Sequence, residues 1–255
     1  YKIHSIQAGL FKLDGGSMFG VVPKILWNRT NPSDDSNRIE MCTRVILLES
    51  KVKKILVDTG IGHKMSDKLN KIYGVDYSEF TLEKGLAKLN IKPEDITDVI
   101  FTHLHFDHAG GSTHFNEDKK PELTFNNAVH YVQEKHLDWA LNPSERDKAS
   151  FFPNDYQPVI DAKQMKIINE EYTFDDIITL LPVNVHTRSM QMVKVSDEKE
   201  TLMYLADLIP MASHVPFPYI MGYDLFPLVT LEEKRKFLKE IYENNYTVFF
   251  EHDPY

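Results

Sequence analysis

The densest group of chemically active side chains in this sequence of 255 residues consists of three histidines and one aspartate. They lie within six residues of one another, at His103, His105, Asp107 and His108. Imidazole nitrogen and carboxylate oxygen are the ligands that zinc and other divalent first-row ions favour. Burying four such groups beside an apolar strand costs hydration free energy, and a cation among them would offset that cost. The group therefore predicts a metal site, and a histidine-rich surface loop is the alternative.

The elements around this group explain how its members come together. A short apolar run at residues 98–102 predicts a buried strand that leads directly into the group. A strand alternates its side chains, which would place the first two histidines and the aspartate on one side. A tight turn would then bring His108 to a neighbouring point. The small residues at 109–111 allow backbone and ligand to approach closely.

The rest of the chain reads as mixed strands and helices without repeats or linkers. Two β-rich runs joined by a polar turn at residues 50–53 predict a hairpin. Leucines at helical spacing from Leu82 predict a helix that ends before Pro93, and a capping box at Thr230 and Glu233 predicts the start of another. This order favours two sheets flanked by helices, an α/β architecture. The strands are expected at residues 44–49, 54–58, 98–102, 128–132, 177–183, 192–195, 202–205 and 247–250.

Residues 11–42 differ from the rest because they combine three glycines, two prolines and three aromatic residues with no clear strand or helix period. They predict a long ordered loop, and long loops in compact domains often form lids or binding loops. We therefore expect this segment on the substrate side of the site. Met18, Phe19 and Trp27 would form an apolar wall there, with core packing as the alternative.

Composition excludes several classes of function. The formal net charge of −9 argues against a nucleic-acid surface, which needs a basic patch to displace counterions. No run approaches the roughly 20 apolar residues that span a bilayer, so no membrane partner is expected. The single cysteine, Cys42, excludes an intrachain disulfide and favours a buried, inert thiol. The first residues do not resemble a secretory signal, which favours the cytoplasm, with export as the alternative for a trimmed N terminus.

Residues 102–111 resemble the His-x-His-x-Asp-His signature of the metallo-β-lactamase superfamily. Three further segments also resemble parts of that family: the strand-turn at residues 56–60, the strand at 204–207 and the late segment at 250–254. The resemblance covers most of the chain. It implies a single domain over residues 1–255 with the family's αββα sandwich of two mixed sheets and a site at one edge of the sheets.

The same resemblance implies a ligand set for one or two zinc ions, with iron or manganese as alternatives. His103 and His105 would bind the first ion, and Asp207 would bridge the pair. Asp58 would orient a ligand histidine through its outer nitrogen, with a turn-forming role as the alternative. The second ion would be bound by Asp107, His108 and His252.

One ligand position departs from the family pattern. The family supplies a further first-metal histidine from a Gly-His-Thr-Pro-Gly-His segment, where this chain has residues 185–190. We take Met190 as the residue at the ligand position, and a thioether is a poor ligand for zinc. We expect that only the second ion is held firmly. The alternatives are His186 or His214 as a substitute ligand, metal binding without hydrolysis, and Met190 as a core residue.

The function that these patterns imply is hydrolysis of an ester, lactone, thioester or organophosphate. Water on the metal loses a proton near neutral pH, and Asp107 or Asp207 would pass a proton to the leaving group. Lactone-cleaving relatives often carry a tyrosine where this chain has Pro210, and this difference argues against a lactonase. Tyr223 would donate a hydrogen bond to an oxyanion. The alternative is a catalytically impaired relative that binds metal or ligand. The expected partner is a small-molecule substrate, and a homodimer is left open.

Overall fold

The computed structural model describes all 255 residues. No helix in it is both long enough and apolar enough to cross a membrane. The strands are β1 (Lys2–Asp14), β2 (Arg38–Glu49), β3 (Lys54–Val57), β4 (Asp98–Ile100), β5 (Thr113–Phe115), β6 (Pro121–Leu123), β7 (Val129–Gln133), β8 (Met165–Ile168), β9 (Tyr172–Thr173), β10 (Ile178–Val183), β11 (Met190–Ser196), β12 (Thr201–Tyr204) and β13 (Thr247–Phe249). The helices are α1 (Gly15–Phe19), α2 (Lys24–Trp27), α3 (Asp67–Ile72), α4 (Leu82–Lys88), α5 (Phe106–Ala109), α6 (Glu134–Leu141), α7 (Pro153–Asp161) and α8 (Pro227–Asn244).

The chain forms two compact units, each built from two stretches of sequence. The first unit contains Tyr1–Phe11 and Cys42–Ile168, and the second contains Lys12–Met41 and Asn169–Tyr255. Strands β1 and β2 belong to the first unit for most of their length, and one end of each belongs to the second.

The first unit is built on a six-stranded mixed sheet in the order β1-β2-β3-β4-β7-β8. Strands β2 and β3 are antiparallel, whereas β3, β4, β7 and β8 pair in parallel. Helices α4, α6 and α7 contribute Leu86, Leu137 and Tyr156 to a core that also contains Leu56 and Val99 from the sheet. The parallel strands end at the same edge of the sheet, and the histidine group follows β4 at this edge.

The second unit is built on a five-stranded mixed sheet in the order β13-β12-β11-β10-β9. All its pairs are antiparallel except β12 and β13, which are parallel. The carboxyl ends of β12 and β13 therefore meet at one edge, which brings the segments that carry Asp207 and His252 together. Helix α8 lies in the chain between the carboxyl end of β12 and the amino end of β13, and it buries Phe237 and Ile241.

The structure bears out the expected strands with shifts of one or two residues at most ends, the largest being the start of β2, which lies at Arg38 rather than residue 44. The predicted capping box is wrong, because α8 begins at Pro227 and Thr230 lies inside its first turn. Residues 11–42 contain the ends of two strands and two short helices rather than one long loop. Phe19 and Trp27 are fully buried and stack with ring centroids 5.3 Å apart, so these aromatic residues pack in a core.

Candidate metal centre

The histidine group of the first unit begins at His103, three residues after the end of β4. His105 immediately precedes α5, and Asp107 and His108 lie within this four-residue helix. The His103 ring lies 3.8 Å from the His108 ring and 4.5 Å from the His105 ring, measured between centroids. All four side chains are buried. The turn after β4 and the short helix therefore collect three imidazoles and a carboxylate, whereas the expected alternation along a strand does not occur, because β4 ends at Ile100.

Asp58 lies behind this group with a fully buried carboxylate. Its Oδ1 accepts from the backbone N–H of Thr102 at 2.7 Å, and its Oδ2 accepts from Thr102 Oγ1 at 2.7 Å. The Nδ1 atom of His108 lies 3.0 Å from Oδ2. Because an ionised carboxylate only accepts, Nδ1 of His108 carries the hydrogen and the lone pair lies on Nε2. This is the contact that the proposed role of Asp58 in orienting a ligand histidine requires.

The tautomer of His103 follows from the hydrogen bonds of Thr102. The Thr102 hydroxyl donates its one hydrogen to Asp58, so His103 Nδ1, at 3.1 Å, donates to the Thr102 oxygen. The lone pair of His103 therefore lies on Nε2, which is 3.1 Å from Nδ1 of His105. The neighbouring backbone is held as well, because Leu104 N donates to Nε2 of the buried His136 at 2.8 Å.

The second unit contains a separate group around Asp207, which follows β12. Its Oδ1 lies 3.1 Å from Nε2 of His252, and its Oδ2 lies 3.2 Å from Nε2 of His186. All three side chains are at most 6 % exposed. The backbone N–H of His252 donates to the carbonyl of Pro210 at 3.0 Å, which fixes the segment after β13 beside that after β12. Each oxygen of one carboxylate thus faces a different imidazole.

Met190 does not occupy a ligand position in the structure. It is the first residue of β11, pairs with Val183 of β10 and is fully buried. His186 lies in the turn between these strands and is the residue that reaches Asp207. The premise of the expected weak first site, a methionine at the ligand position, is therefore wrong. The sheet register places Met190 in the core, and the first histidine of the segment takes the place beside the aspartate.

His214 and Tyr223 have different surroundings from those expected of a ligand. His214 is buried, and its Nε2 donates to the carbonyl of Met18 at 2.8 Å while its ring stacks on Phe19. Burial lowers the pKa of this imidazole to about 4. These contacts tie His214 to residues 12–41 within the second unit, and its role as a pocket residue or substitute ligand stays a prediction. Tyr223 is 37 % exposed and stays a predicted pocket residue.

Asp224 and Thr230 belong to the second group and were not predicted. Asp224 Oδ1 lies 3.1 Å from Nδ1 of His186, and Thr230 Oγ1 donates to Asp224 Oδ2 at 2.9 Å. Burial raises the pKa of the Asp224 carboxyl, and the hydrogen bond from His186 opposes that change. No local pattern marked either residue, because Asp224 meets a histidine 38 positions away in the chain.

The donors of both units fit divalent first-row metal ions. The first unit supplies three buried imidazoles, and two of these have an Nε2 lone pair set by their outer hydrogen bonds. The second supplies a carboxylate whose two oxygens face two imidazole nitrogens. Nitrogen and carboxylate oxygen without thiolate is a donor set that zinc, iron and manganese all accept. Buried histidines and carboxylates at this density are stable only with a compensating cation or protons.

A model of the metallo-β-lactamase superfamily matches residues 43–252. The chain belongs to the metallo-β-lactamase superfamily. An N-acyl homoserine lactonase of Bacillus cereus is 26% identical to it over 213 residues, which are 80% of this chain and 74% of that protein. The solved structure of a probable metal-dependent hydrolase from Staphylococcus aureus is 28% identical, with a TM-score of 0.91 over 99% of this chain and 89% of that one. The structure of AidC, a dizinc quorum-quenching lactonase, is 23% identical, with a TM-score of 0.79 over 99% and 87% of the two chains.

These comparisons confirm the predicted metallo-β-lactamase fold. The superfamily match extends from β2 to the segment after β13 and so includes every predicted ligand. Relatives named as lactonases and as a metal-dependent hydrolase indicate that this metallo-β-lactamase superfamily member is a hydrolase enzyme.

Proposed function

We propose that this chain is a two-metal hydrolase that opens lactones or cleaves related esters, thioesters or organophosphates. The observation that carries the proposal is the geometry at Asp207, whose two oxygens face Nε2 of His186 and Nε2 of His252 at 3.2 and 3.1 Å. A carboxylate placed in this way suits a bridge between two cations that each hold one of the imidazoles.

The proposed ligands are those that the family resemblance implies, with His186 in place of Met190. His103 through Nε2, His105 through Nδ1 and His186 through Nε2 would hold the first ion. The second ion would be held by Asp107, His108 and His252, with Asp207 between the two ions. Zinc is the first choice, because these nitrogen and oxygen donors suit it and because AidC is a dizinc lactonase.

The ions, when bound, would activate a water molecule and polarise the oxygen of the bond to be cleaved. The chain's own residues would move the proton. Asp107 is 6 % exposed and Asp207 5 % exposed, so each carboxylate keeps a small accessible surface at the site. Either carboxylate would accept a proton and pass it to the leaving group.

The substrate class rests on the relatives and on the residues near Asp207. The lactonases are similar over most of their length, which favours a lactone as the first substrate to test. Pro210 stands where lactone-cleaving relatives often carry a tyrosine, and proline has no side-chain donor. Tyr223 is the alternative donor to a developing oxyanion. The catalytically impaired alternative loses its main support, because His186 rather than Met190 lies beside Asp207.

The test measures metal content and hydrolysis on the same preparations. Wild-type protein is stripped with chelator, reloaded with zinc, iron or manganese, and assayed with a lactone, an aryl ester, a thioester and a phosphotriester. We expect two ions per chain and activity that disappears on stripping and returns on reloading. Asp207→Asn should weaken metal binding by more than the roughly 10–100-fold that loss of an outer-shell partner costs.

Asp197→Asn is the matched control, since Asp197 lies in the exposed turn between β11 and β12. It should retain both ions and full activity. Wild-type protein that binds no metal after supplementation, or hydrolysis that persists unchanged after stripping, would contradict the proposed function.

A further inference from the structure

Asp224 is a buried carboxylate on the far side of His186 from Asp207. Its Oδ1 lies 3.1 Å from Nδ1 of His186, while Nε2 of the same ring lies 3.2 Å from Oδ2 of Asp207. The imidazole therefore lies between two carboxylates, and each of them faces a different ring nitrogen. Asp224 itself is only 3 % exposed.

The orientation of Asp224 is fixed by its second oxygen and by its backbone. Thr230 Oγ1, in the first turn of α8, donates to Oδ2 at 2.9 Å. The residues that follow Asp224 pair with the backbone around His186: Leu225 N donates to the His186 carbonyl and Phe226 N to the Val185 carbonyl, each at 3.2 Å. The carboxylate and the imidazole are therefore held together by side-chain and main-chain contacts.

A buried carboxylate is costly, and packing alone does not account for this one. Its two oxygens contact a threonine hydroxyl and an imidazole, and neither contacts an ammonium or a guanidinium group. A residue needed only to fill this space would be cheaper without a charge. The charge is useful if the imidazole beside it must donate from Nδ1 and present a basic lone pair on Nε2.

We propose that Asp224 is a positioning residue for the metal centre, and that it fixes His186 as a ligand through Nε2. Because the carboxylate only accepts, Nδ1 of His186 donates to it and the lone pair of the ring remains on Nε2. The hydrogen bond also makes the imidazole a stronger ligand, and outer partners of this kind typically contribute 10–100-fold to metal affinity. Thr230 holds Asp224 in the required rotamer. This inference rests on the proposed function, since it assumes that His186 binds metal.

The experiment is a double-mutant cycle on zinc affinity, measured by competition with a chromophoric chelator. Asp224→Ala should weaken the binding of one of the two ions by about 10–100-fold and leave the other unchanged. Asp224→Asn retains an acceptor oxygen and should recover part of the loss. His186→Ala with Asp224→Ala should bind no more weakly than His186→Ala alone, because Asp224 acts through that ring.

Two variants separate the metal effect from an effect on folding. Thr230→Val keeps the shape of the side chain and removes only the hydroxyl, so it should weaken the same ion by a smaller factor even if Asp224→Ala does not fold. Asp147→Asn makes the same change as Asp224→Asn at a buried carboxylate that accepts from Trp139 Nε1 and Ser144 Oγ, each at 2.7 Å. It should leave zinc affinity unchanged.

The outcomes are distinct. Wild-type protein that binds no zinc would overturn the proposed function. Wild-type protein that binds two ions while the Asp224 and Thr230 variants bind them equally well would overturn the positioning role alone. A loss from Asp224→Ala that adds in full to the loss from His186→Ala would also overturn it, because the carboxylate would then act independently of His186.

Discussion

At the scale of single residues, buried carboxylates set the hydrogens of the neighbouring imidazoles. Asp58 receives hydrogens from Thr102 and His108, and the same threonine oxygen then receives the Nδ1 hydrogen of His103. One carboxylate thus directs the lone pairs of two histidines away from itself. Asp224 has the corresponding position behind His186. The atoms proposed to bind metal would thus be selected by residues that do not bind it.

The first prediction concerns Asp58→Asn. Asp58 has a φ of 59°, a left-handed conformation that asparagine tolerates, so the backbone should be retained. Asparagine is a weaker acceptor, so His108 and Thr102 should lose orientation and zinc affinity should fall by about 10–100-fold. Chelator competition measures this loss. Asp98→Asn is the control, because Asp98 is equally buried but pairs with Lys53 at 2.9 Å; it should lower stability and leave zinc affinity unchanged. Equal affinity in wild type and Asp58→Asn would contradict the role.

The sequence revealed the part of the site that is contiguous. His103 to His108 are recognisable because four metal-binding residue types fall within six consecutive positions, although β4 ends at Ile100 and Asp107 and His108 lie on α5. The ligand beside Asp207 was misassigned, because the choice between His186 and Met190 depends on a strand register that places Met190 opposite Val183. Asp224 had no local signal, since it meets a histidine 38 positions away in the chain.

At the scale of elements, parallel strand pairs assemble each group. Strand β4 pairs in parallel with β3 and β7, and β12 pairs in parallel with β13, so that the segments after them meet at one edge of each sheet. The sequence predicted these strands well, because short apolar runs bounded by polar turns mark them. It did not predict β1 or the short helices α1 and α2, where propensity is weak and packing of Phe19 against Trp27 decides the structure.

The second prediction concerns strand β7, which holds His130 between β4 and β8. Neither ring nitrogen has a hydrogen-bond partner, and the ring is fully buried beside Phe101. Burial lowers the pKa of this imidazole from 6.5 to about 4. Between these values the unfolded chain binds one more proton than the folded chain, so stability is present above pH 6.5 and is lost as the pH falls towards 4. The slope is up to about 1.4 kcal/mol per pH unit.

His130→Leu removes the group that takes up a proton on unfolding. The free energy of unfolding of the variant should therefore depend less on pH between 6.5 and 4. Urea unfolding of wild type and variant at pH 7 and pH 5 measures the difference, and the variant should lose less free energy of unfolding between the two. His114→Leu is the control at an exposed histidine and should keep the wild-type dependence. If wild type and His130→Leu lose stability equally on acidification, the buried neutral ring is not the cause.

At the scale of the whole molecule, the net charge of −9 lowers the stability of the folded chain, whereas the proposed cations would raise it. Carboxylates repel one another in the folded chain, and divalent ions at the site offset part of this repulsion. The ions also bind the folded state and not the unfolded one, so they stabilise it by mass action. At a free ion concentration a thousandfold above the dissociation constant, this linkage contributes about 4 kcal/mol.

The third prediction follows from this linkage. Stripping with chelator should lower the Tm by about 10 °C, because a change of 1 kcal/mol moves the Tm of a chain of this size by roughly 2–4 °C. Reloading with zinc should restore it, and calorimetry with and without chelator measures both steps. The control is His108→Ala combined with Asp207→Ala, which removes one proposed ligand of the second ion and the proposed bridge, so its Tm should fall less on stripping than the Tm of the wild type. A chelator effect of wild-type size in this double variant would place the stabilising ions elsewhere on the surface, and no chelator effect in wild type would contradict tight binding.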